Sequence, residues 1–330
     1  MKCFIIAEAG VNHNGDVKIA YKLCDAAKKA GVDAVKFQIF NPEKLVTKDA
    51  KKAGYQDKND KSSSSQLEML KKLSLTNDEF KSIANYCNKI GVKFMATAFD
   101  EDSVDFLYSL GVDTIKVPSG EITNLPYLEK IAKLWNRIIV STGMATLDEI
   151  KAAYNILKRN GATVTVLHCT TEYPAPFETV NLKAMQFLGD QLGIEYGYSD
   201  HTKGIEVPVA AVALGASVIE KHFTLDKNMD GPDHKASINP DELTQMVNAI
   251  RNVEKSLGEA KKIVNDCEIA NRSVVRKSIV AKRDINVGEV FDENNLTTKR
   301  PGTGISPMEW YNVLGKKAKR SFKKDELIEL

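Results

Sequence analysis

Two hydrophobic patterns alternate along residues 1–257. Short continuous apolar runs, rich in β-branched residues, are typical of strands buried on both faces of a parallel sheet. Longer segments, with apolar residues every three or four positions, are typical of amphipathic helices. The predicted strands contain residues 4–7, 34–35, 94–96, 114–115, 138–140, 164–167, 196–198 and 218–219. The predicted helices cover residues 16–30, 78–90, 101–110, 124–134, 147–160, 204–214 and 240–257.

The number of these strand–helix units decides between two α/β architectures. Eight units in roughly 250 residues favour a closed (β/α)8 TIM barrel. The segments AGVDAVKF and LGVDTIKV repeat one arrangement, in which a glycine ends a helix and a buried strand follows. An open, doubly wound sheet fits the same alternation and stays open as the alternative.

The alternation of strand and helix patterns ends after residue 257. Residues 258–272 are predicted to be a linker. Residues 273–330 alternate short strands with Gly, Pro and Asn turns, which indicates a small, mostly β domain. A domain of about 55 residues is near the lower limit for folding alone, so we expect it to pack against the barrel or against a second chain.

One long polar segment interrupts the barrel pattern. Residues 39–65, which end in four consecutive serines at 62–65, follow the second predicted strand. We predict a long loop here, and loops of that length are usually lids or disordered segments.

Composition narrows the classes of function. The formal net charge is only +2, so no long-range field favours a nucleic acid or a membrane surface as a partner. The first apolar run is broken by Glu8 and is too short for a signal peptide, and no other run is long enough to span a bilayer. The five cysteines lack C-x-x-C spacing, so we expect reduced thiols in a cytoplasmic protein.

Lysines and hydroxyl groups stand where barrel enzymes carry their chemistry, at the C-terminal ends of strands. Lys36 ends the second predicted strand and Lys116 the fourth. Hydroxyl groups at other strand ends come from Thr97, Ser119 and Ser199. This set predicts a pocket for a small, highly charged anion. The alternative is that each lysine forms a structural ion pair with Glu8, Glu121 or Glu220.

All five histidines map to the same rim or to the loops just beyond it: His13, His168, His201, His222 and His234. A stabilising role would have spread them over the molecule, so this clustering favours an active site. His201 and His222 end adjacent strands and are close enough to share a divalent ion, a cluster that His13 could join. The alternative is that these imidazoles only form hydrogen bonds within the rim.

Two further side chains are candidates for contact with substrate. Glu121, in the segment PSGE, is the candidate general acid or base, and the alternative is a carboxylate that caps the next helix. Tyr173, in TTEYPAPF, either contacts the substrate or packs within its loop.

An ordered set of motifs spans essentially the whole chain. These are EAGVNHNG, AVKFQ, SQLEM, KVPSGE, STGMAT, LHCTTEYPAPF, GYSDHT, ALGASVIEKHFTLD and GPDH. In this order they resemble the sialic acid synthase family, which includes N-acetylneuraminate and N,N'-diacetyllegionaminate synthases. The segment VGEVFDENNLTTKRPGTGISP resembles the antifreeze-like (SAF) domain of that family.

The resemblance implies a transferase that condenses phosphoenolpyruvate with an N-acetylmannosamine-type aldehyde sugar and releases phosphate. It assigns phosphoenolpyruvate to Lys36, Thr97, Lys116, Ser119, Ser199 and Thr171. Thr171 is a departure, because some members carry asparagine there. The implied metal is Mn²⁺ or Mg²⁺, held by His201 and His222, where it would act as a Lewis acid on the sugar aldehyde.

The resemblance also assigns the sugar and the second chain. Glu121 would transfer a proton and Glu8 would act beside it, while Gln38, Tyr173 and Asp233 would orient the sugar. Arg300, in the KRPG segment, would reach the barrel mouth of a partner chain, which implies a domain-swapped homodimer.

The identity of the sugar is left open by the residues. We expect an N-acetylneuraminate synthase, because SPMEWYNVLGK and the general texture fit that group. The alternative is an N,N'-diacetyllegionaminate synthase acting on 2,4-diacetamido-2,4,6-trideoxymannose, which TTEYPAPF and EITNLPYL resemble more.

More remote readings meet specific objections. A Schiff-base aldolase or lyase needs a lysine at the end of strand 6, where His168 stands. A synthase acting on a sugar phosphate needs additional arginines at a rim that offers almost none. A small domain that only binds ice or glycan leaves the charged barrel unexplained.

Overall fold

A computed structural model describes residues 2–59 and 63–330 of the chain. The chain divides into two compact units, Met1–Gly258 and Glu259–Leu330, and each is described by itself. None of the helices in the described ranges is long and apolar enough to cross a membrane.

The first unit is built on eight parallel strands in the order β3-β2-β1-β8-β7-β6-β5-β4. They are β1 (Phe4–Gly10), β2 (Ala34–Ile39), β3 (Lys93–Ala98), β4 (Ile115–Val117), β5 (Arg137–Ser141), β6 (Thr163–His168), β7 (Tyr196–Asp200) and β8 (Val218–His222). β1 pairs with both β2 and β8, and β3 and β4 contact each other at the two ends of the order. The nearly closed (β/α)8 barrel is therefore confirmed, and the open sheet is excluded.

Helices follow the strands around the barrel. They are α1 (Val17–Ala30), α2 (Pro42–Leu45), α3 (Gly54–Asn59), α4 (Gln66–Leu73), α5 (Asn77–Ile90), α6 (Glu101–Ser109), α7 (Leu125–Leu134), α8 (Leu147–Leu157), α9 (Lys183–Leu192), α10 (Glu206–Ala213) and α11 (Pro240–Ser256). Helix α9 was not among the predicted helices. Its N-cap residue, Leu182, makes no side-chain capping bond, so the usual start signal is lacking.

The predicted long loop was wrong in part, because residues 39–65 contain α2 and α3. Asn41 caps α2 by accepting from Glu43 N, and Pro42 occupies its first turn, where proline is tolerated. Ser62, in the predicted serine run, lies outside the described residues.

Local signals explain most of the other helices. α5, α8 and α11 each begin with a reciprocal capping box, and each such cap contributes about 1 kcal/mol. Gly31 ends α1 with a φ of 82°, a left-handed conformation that favours glycine, and the chain then enters β2. The same arrangement at Gly111, with a φ of 72°, accounts for the repeated glycine–strand pattern in the sequence.

The side chains inside the barrel change character from one layer to the next. An apolar layer near the N-terminal end consists of Ile6, Ala34, Met95, Ile139, Leu167 and Val218. Two residues further along the same strands stand Glu8, Lys36, Thr97, Ser141, Cys169 and Glu220. Because side chains of a strand alternate between its two faces, both sets point inward. The apolar layer closes the barrel, and the polar layer lies above it at the C-terminal end.

The second unit contains a two-stranded antiparallel sheet of β9 (Ser278–Ala281) and β10 (Leu296–Lys299). Isolated bridges add Leu327, Phe322 and Lys317 to this β structure. Its core is Ile279, Ala281, Ile285, Phe291, Leu296, Val313, Ala318, Phe322 and Ile328. Two helices complete it, α12 (Asp266–Val275) and α13 (Trp310–Val313), and α12 begins inside the predicted linker.

Candidate active site

Strand register brings charged side chains of three neighbouring strands together. Glu8 on β1 stands opposite Lys36 on β2 and opposite His222 on β8. On the other side of β8, Glu220 stands opposite Ser199 of β7. All of these side chains point into the barrel, so the interior carries a compact polar cluster at its C-terminal end.

Two lysines and two glutamates form the centre of this cluster. Lys36 Nζ lies 2.7 Å from Glu8 Oε2 and 3.5 Å from Glu220 Oε2. Lys116 Nζ lies 3.2 Å from Glu220 Oε1. The two lysines therefore form ion pairs with glutamates, as the alternative prediction had it, and they also line a cavity, as the anion-pocket prediction requires. Glu121 is not among these partners.

Hydroxyl and amide groups extend the network. Thr97 Oγ1 accepts a hydrogen bond from Lys36 Nζ at 3.0 Å, and Ser199 Oγ donates to Glu220 Oε1 at 2.9 Å. Gln38 Nε2 donates to Glu8 Oε1 at 3.0 Å. Six predicted site residues from β1, β2, β3, β4 and β7 thus lie in one network.

Burial and pairing shift the protonation of the cluster. Burial alone would raise the pKa of the Glu220 carboxyl, but Lys116 and Lys36 hold that pKa well below its ordinary value. Burial opposes the charge of Lys36, yet the carboxylates of Glu220 and Glu8 hold the Lys36 pKa above its ordinary range. The Lys36 ammonium therefore stays charged although only 1% of the residue is exposed.

His201 and His222 lie beside the cluster, with ring centroids 5.6 Å apart. Burial lowers the pKa of each imidazole to about 3, and for His201 the neighbouring His222 adds to the effect. His201 Nδ1 lies 2.6 Å from the Thr170 carbonyl oxygen. A carbonyl only accepts, so Nδ1 carries the proton and Nε2 keeps its lone pair.

The donor chemistry of this pair fits a divalent cation. Both imidazoles are neutral, and the buried Nδ1 of His222 has no hydrogen-bond partner. Within residues 2–59 and 63–330, no group of three or more His, Cys, Asp or Glu side chains could hold a metal ion. An ion here would have two imidazole ligands, with its other positions filled by water or substrate oxygen.

The other three histidines lie elsewhere. His13 packs against Phe37 and Phe80, with centroids 6.1 and 6.4 Å away, so the expectation that it could join the cluster was wrong. His168 Nε2 lies 2.7 Å from Val180 O. His234 lies between Thr224 and Asn14 through its two ring nitrogens. For these three, the alternative of hydrogen bonds or packing within the rim holds.

A cavity of about 420 Å³ opens above the cluster. Tyr173 lines it, with its ring centroid 4.1 Å from that of His201. Asp233 also lines it, and burial, followed by the charge of Glu8, raises the Asp233 pKa to about 7. Tyr173 and Asp233, two of the predicted sugar contacts, therefore face the same space as the lysines and the imidazoles.

Glu121 lines this cavity from a short 3₁₀ helix, Ser119–Glu121, which follows β4. Its Oε2 accepts a hydrogen bond from Asn124 Nδ2 at 2.6 Å. The N-cap of α7 is Asn124, whose side chain accepts from Tyr127 N, so the helix-cap alternative for Glu121 was wrong.

Polar atoms at or just beyond the ends of β4, β5 and β6 complete the cavity. Ser119 Oγ accepts from Gly143 N at 2.9 Å. The buried hydroxyls of Thr171 and Ser141 have no hydrogen-bond partner. A Cβ at Gly143 would lie 2.1 Å from Thr171 Oγ1, so only glycine fits there. Unsatisfied buried donors are costly, and these two would bind an acceptor-rich ligand.

Arg300 belongs to the second unit, where its Nε donates to Val275 O at 2.9 Å. Its predicted place at a partner's barrel mouth stays a prediction.

Glu220 was predicted only as a possible ion-pair partner, whereas it contacts both lysines and Ser199 in the structure. The signal was available in the segment VIEKH, because Glu220 is two residues before His222 and so shares its face. Cys169 and Ser141, which also line the cavity, were not proposed as site residues.

The comparisons with known proteins agree with one family over both units. Residues 23–262 match the NeuB family and residues 276–329 match the SAF domain. The chain is 55% identical over 330 residues to an N,N'-diacetyllegionaminic acid synthase of Campylobacter jejuni, covering 99% of both chains. It is 49% identical to a protein of the same name from Legionella pneumophila, covering 96% of this chain and 90% of the relative.

A solved structure is similar as well. The N-acetylneuraminic acid (sialic acid) synthetase of Leptospira borgpetersenii, in complex with citrate, superposes with a TM-score of 0.73 and 34% identity. The alignment covers 82% of this chain and 90% of that one.

Proposed function

This chain belongs to the NeuB family and is a condensing synthase, and we propose that it makes N,N'-diacetyllegionaminic acid. The substrates would be phosphoenolpyruvate and 2,4-diacetamido-2,4,6-trideoxymannose, and phosphate would be released. The 55% and 49% identity to synthases of that name supports this sugar over the N-acetylmannosamine favoured by the sequence analysis.

The observation that carries the proposal is the charge arrangement of the cavity. Glu220 lies between the ammonium groups of Lys36 and Lys116, which holds both of them in place before a substrate arrives. Charges fixed in advance bind a phosphate and carboxylate without the cost of reorganisation. The hydroxyls of Thr97, Ser119, Ser199 and Thr171 would add directed donors to the same anion.

Different residues would bind different parts of the sugar. His201 and His222 would hold Mn²⁺ or Mg²⁺, which supplies a Lewis acid for the aldehyde oxygen when bound. Tyr173 lies against the His201 ring, and Gln38 lies against Glu8, so these groups would orient the hydroxyl groups near the aldehyde. Asp233 would act further along the sugar chain.

The bonds that change define what the remaining groups must do. The methylene carbon C3 of phosphoenolpyruvate bonds to the aldehyde carbon, whose oxygen takes up a proton and becomes a hydroxyl. Water adds to C2, which carries the phosphate, and the C2–oxygen bond to phosphate then breaks as the new C2 hydroxyl loses its proton, which leaves a ketone and free phosphate. A proton must leave the attacking water, and we assign that transfer to Glu121, whose carboxylate faces the cavity. Glu8 would assist beside it, since burial raises the pKa of this carboxyl while its ion pair with Lys36 at 2.7 Å opposes that rise.

A second chain would complete the site. Helix α12 has no buried residue, and it exposes Ile269, Val274 and Val275. Apolar side chains exposed in this way are typical of surfaces covered by a partner. We therefore propose a domain-swapped homodimer in which Arg300 serves the partner's barrel.

Mixing two inactive variants tests this dimer. An Arg300→Ala chain mixed with a Lys116→Met chain should regain activity, because a mixed dimer holds one intact site. Random exchange would restore about a quarter of the wild-type rate. If size-exclusion chromatography shows mixed dimers that stay inactive, Arg300 does not act across the interface.

The proposed reaction is tested by phosphate release. Purified enzyme with Mn²⁺ and phosphoenolpyruvate should have a higher kcat/KM for 2,4-diacetamido-2,4,6-trideoxymannose than for N-acetylmannosamine. The reverse preference would assign the chain to N-acetylneuraminate synthesis instead.

A further inference from the structure

One side of the cavity has a chemistry that the proposed mechanism does not use. We call it the apolar wall: Val11, Leu45, Val46, Met69, Leu70 and Leu73, all of which line the cavity. Helix α4 supplies the last three at positions i, i+1 and i+4, which places Met69 and Leu73 one turn apart. The wall is a packed surface, because its members form a hydrophobic cluster with Phe40 and Phe99.

The wall and the imidazole pair lie on different sides of the barrel mouth. The wall comes mainly from the segment after β2, and it packs on Phe99, which follows β3. His201 and His222 end β7 and β8. In a ring of eight strands β3 stands opposite β7, and the ammonium groups of Lys36 and Lys116 lie below, near the centre.

This arrangement fixes the orientation in which the aldehyde sugar would bind in the cavity. Its aldehyde carbon must lie near the imidazoles and above the lysines, where the enol carbon can reach it. The far end of the open sugar chain, around C6, then extends towards the apolar wall. Each of the six wall side chains is uncharged and lacks a hydrogen-bond donor, and the thioether of Met69 accepts only weakly, so the wall offers no strong partner to a hydroxyl or a phosphate.

We propose that the apolar wall is the subsite for the C6 methyl group of a 6-deoxy sugar and that it selects against sugars with a C6 hydroxyl or phosphate. This inference rests on the proposed function and names the feature of the chain that determines its substrate. Gln56 and Gln66 line the same cavity and offer amide groups that match the 4-acetamido substituent of that sugar.

The size of the effect follows from the chemistry. An apolar pocket discriminates against an added hydroxyl by about 10²-fold in kcat/KM. A C6 phosphate should be excluded more strongly, because its charge would be buried without a partner.

Matched substitutions test the wall in the full-length, Mn²⁺-loaded enzyme. Val46→Thr and Leu70→Asn keep side-chain size and add a polar group to the wall. Phe40→Leu is the control, because Phe40 belongs to the same cluster but does not line the cavity. The measurement is kcat and KM for the 6-deoxy diacetamido sugar and for its 6-hydroxy counterpart, together with Tm for each variant.

We expect each wall variant to reduce the preference for the 6-deoxy sugar by at least about tenfold, mainly through KM, while Phe40→Leu keeps the wild-type ratio. Wild-type selectivity in folded Val46→Thr and Leu70→Asn enzymes would overturn the wall assignment and leave the proposed function intact. If wild-type enzyme itself prefers N-acetylmannosamine, the proposed function fails, and the wall assignment fails with it. If Leu70→Asn does not fold, the partly buried Val46→Thr position decides.

Discussion

The two ends of the barrel both carry ionic networks, but they are built differently. At the N-terminal end, Asp33 lies 2.9 Å from Lys2 and 2.6 Å from Arg251, and it also accepts from the backbone N of Ile5. Arg251 in turn pairs with Glu254 at 2.9 Å. Although burial opposes it, these donors hold the Asp33 pKa below its ordinary value.

At the C-terminal end, the charged groups are more deeply buried and less fully satisfied. The side chains of Lys36, Glu8 and Glu220 are each 2% exposed, against 19% for Asp33. Hydroxyls of Ser141 and Thr171 and a ring nitrogen of His222 have no partner there. A satisfied network that ties strand to helix stabilises a fold, whereas a buried network with unsatisfied atoms around a cavity is suited to a ligand.

Removing the metal should have the largest effect on activity, and it should act at the C-terminal end of the barrel only. Enzyme stripped with EDTA should lose essentially all phosphate release, and Mn²⁺ should restore it, because the aldehyde oxygen loses its Lewis acid. Manganese binding followed by electron paramagnetic resonance should disappear in His201→Ala and persist in Arg251→Met. Full activity in verified metal-free enzyme would remove the ion from the mechanism.

Glu121→Gln should have the next largest effect. The amide keeps the size and the hydrogen bond with Asn124 but cannot take up a proton. Turnover should fall by roughly 10²–10⁴-fold with little change in the KM for phosphoenolpyruvate. Steady-state phosphate release measures this, and turnover like that of wild type would exclude Glu121 from proton transfer.

One substitution at each end compares them directly. Lys116→Met removes an ammonium group from the cavity, and kcat/KM for phosphoenolpyruvate should fall by about 10²–10³-fold. Arg251→Met removes a cation of similar length from the opposite end. It should cost about 1–3 kcal/mol of unfolding free energy and leave kcat/KM unchanged. Equal losses of kcat/KM in two well-folded variants would contradict the division of roles.

Much of this barrel follows from local sequence signals. The eight strands were predictable because buried parallel strands are continuous apolar runs. The position of Lys36 and Lys116 at the cavity was predictable because both lie at the C-terminal ends of strands, where barrel enzymes have their active sites. Helix α9 was missed because Leu182 supplies no capping side chain.

The parts that failed depend on contacts distant in sequence. His13 packs between helix and strand aromatics rather than towards the imidazole pair, and no spacing in the sequence fixes that direction. Two members of the apolar wall, Leu45 and Val46, were placed in the predicted polar loop 39–65, and helix α4, which supplies three more, was not among the predicted helices, because the wall forms only where these segments meet at the cavity.

The last prediction concerns stability and not activity: the Asp233 carboxyl should make the free energy of unfolding depend on pH. Its folded pKa is raised to about 7 from the ordinary value of 3.8, with burial as the main cause and Glu8 as the second. Between these two pKa values the unfolded chain has lost the proton that the folded chain keeps. Stability should therefore fall as pH rises through this window, by up to about 1.4 kcal/mol per pH unit. Above pH 7 the loss is complete, and below pH 4 it is absent.

Asp233→Asn removes that proton and with it this part of the slope. If the variant and wild type have similar unfolding free energies near pH 4.5, the variant should be more stable by about 3 kcal/mol at pH 8. Guanidinium denaturation at the two pH values measures the difference, and Asp230→Asn on the same loop is the exposed control. A pH-independent difference between the Asp233→Asn variant and wild type would mean that the carboxyl is ionised in the folded barrel. The C-terminal end would then tolerate a third buried carboxylate beside Glu8 and Glu220, as a cation-binding site does.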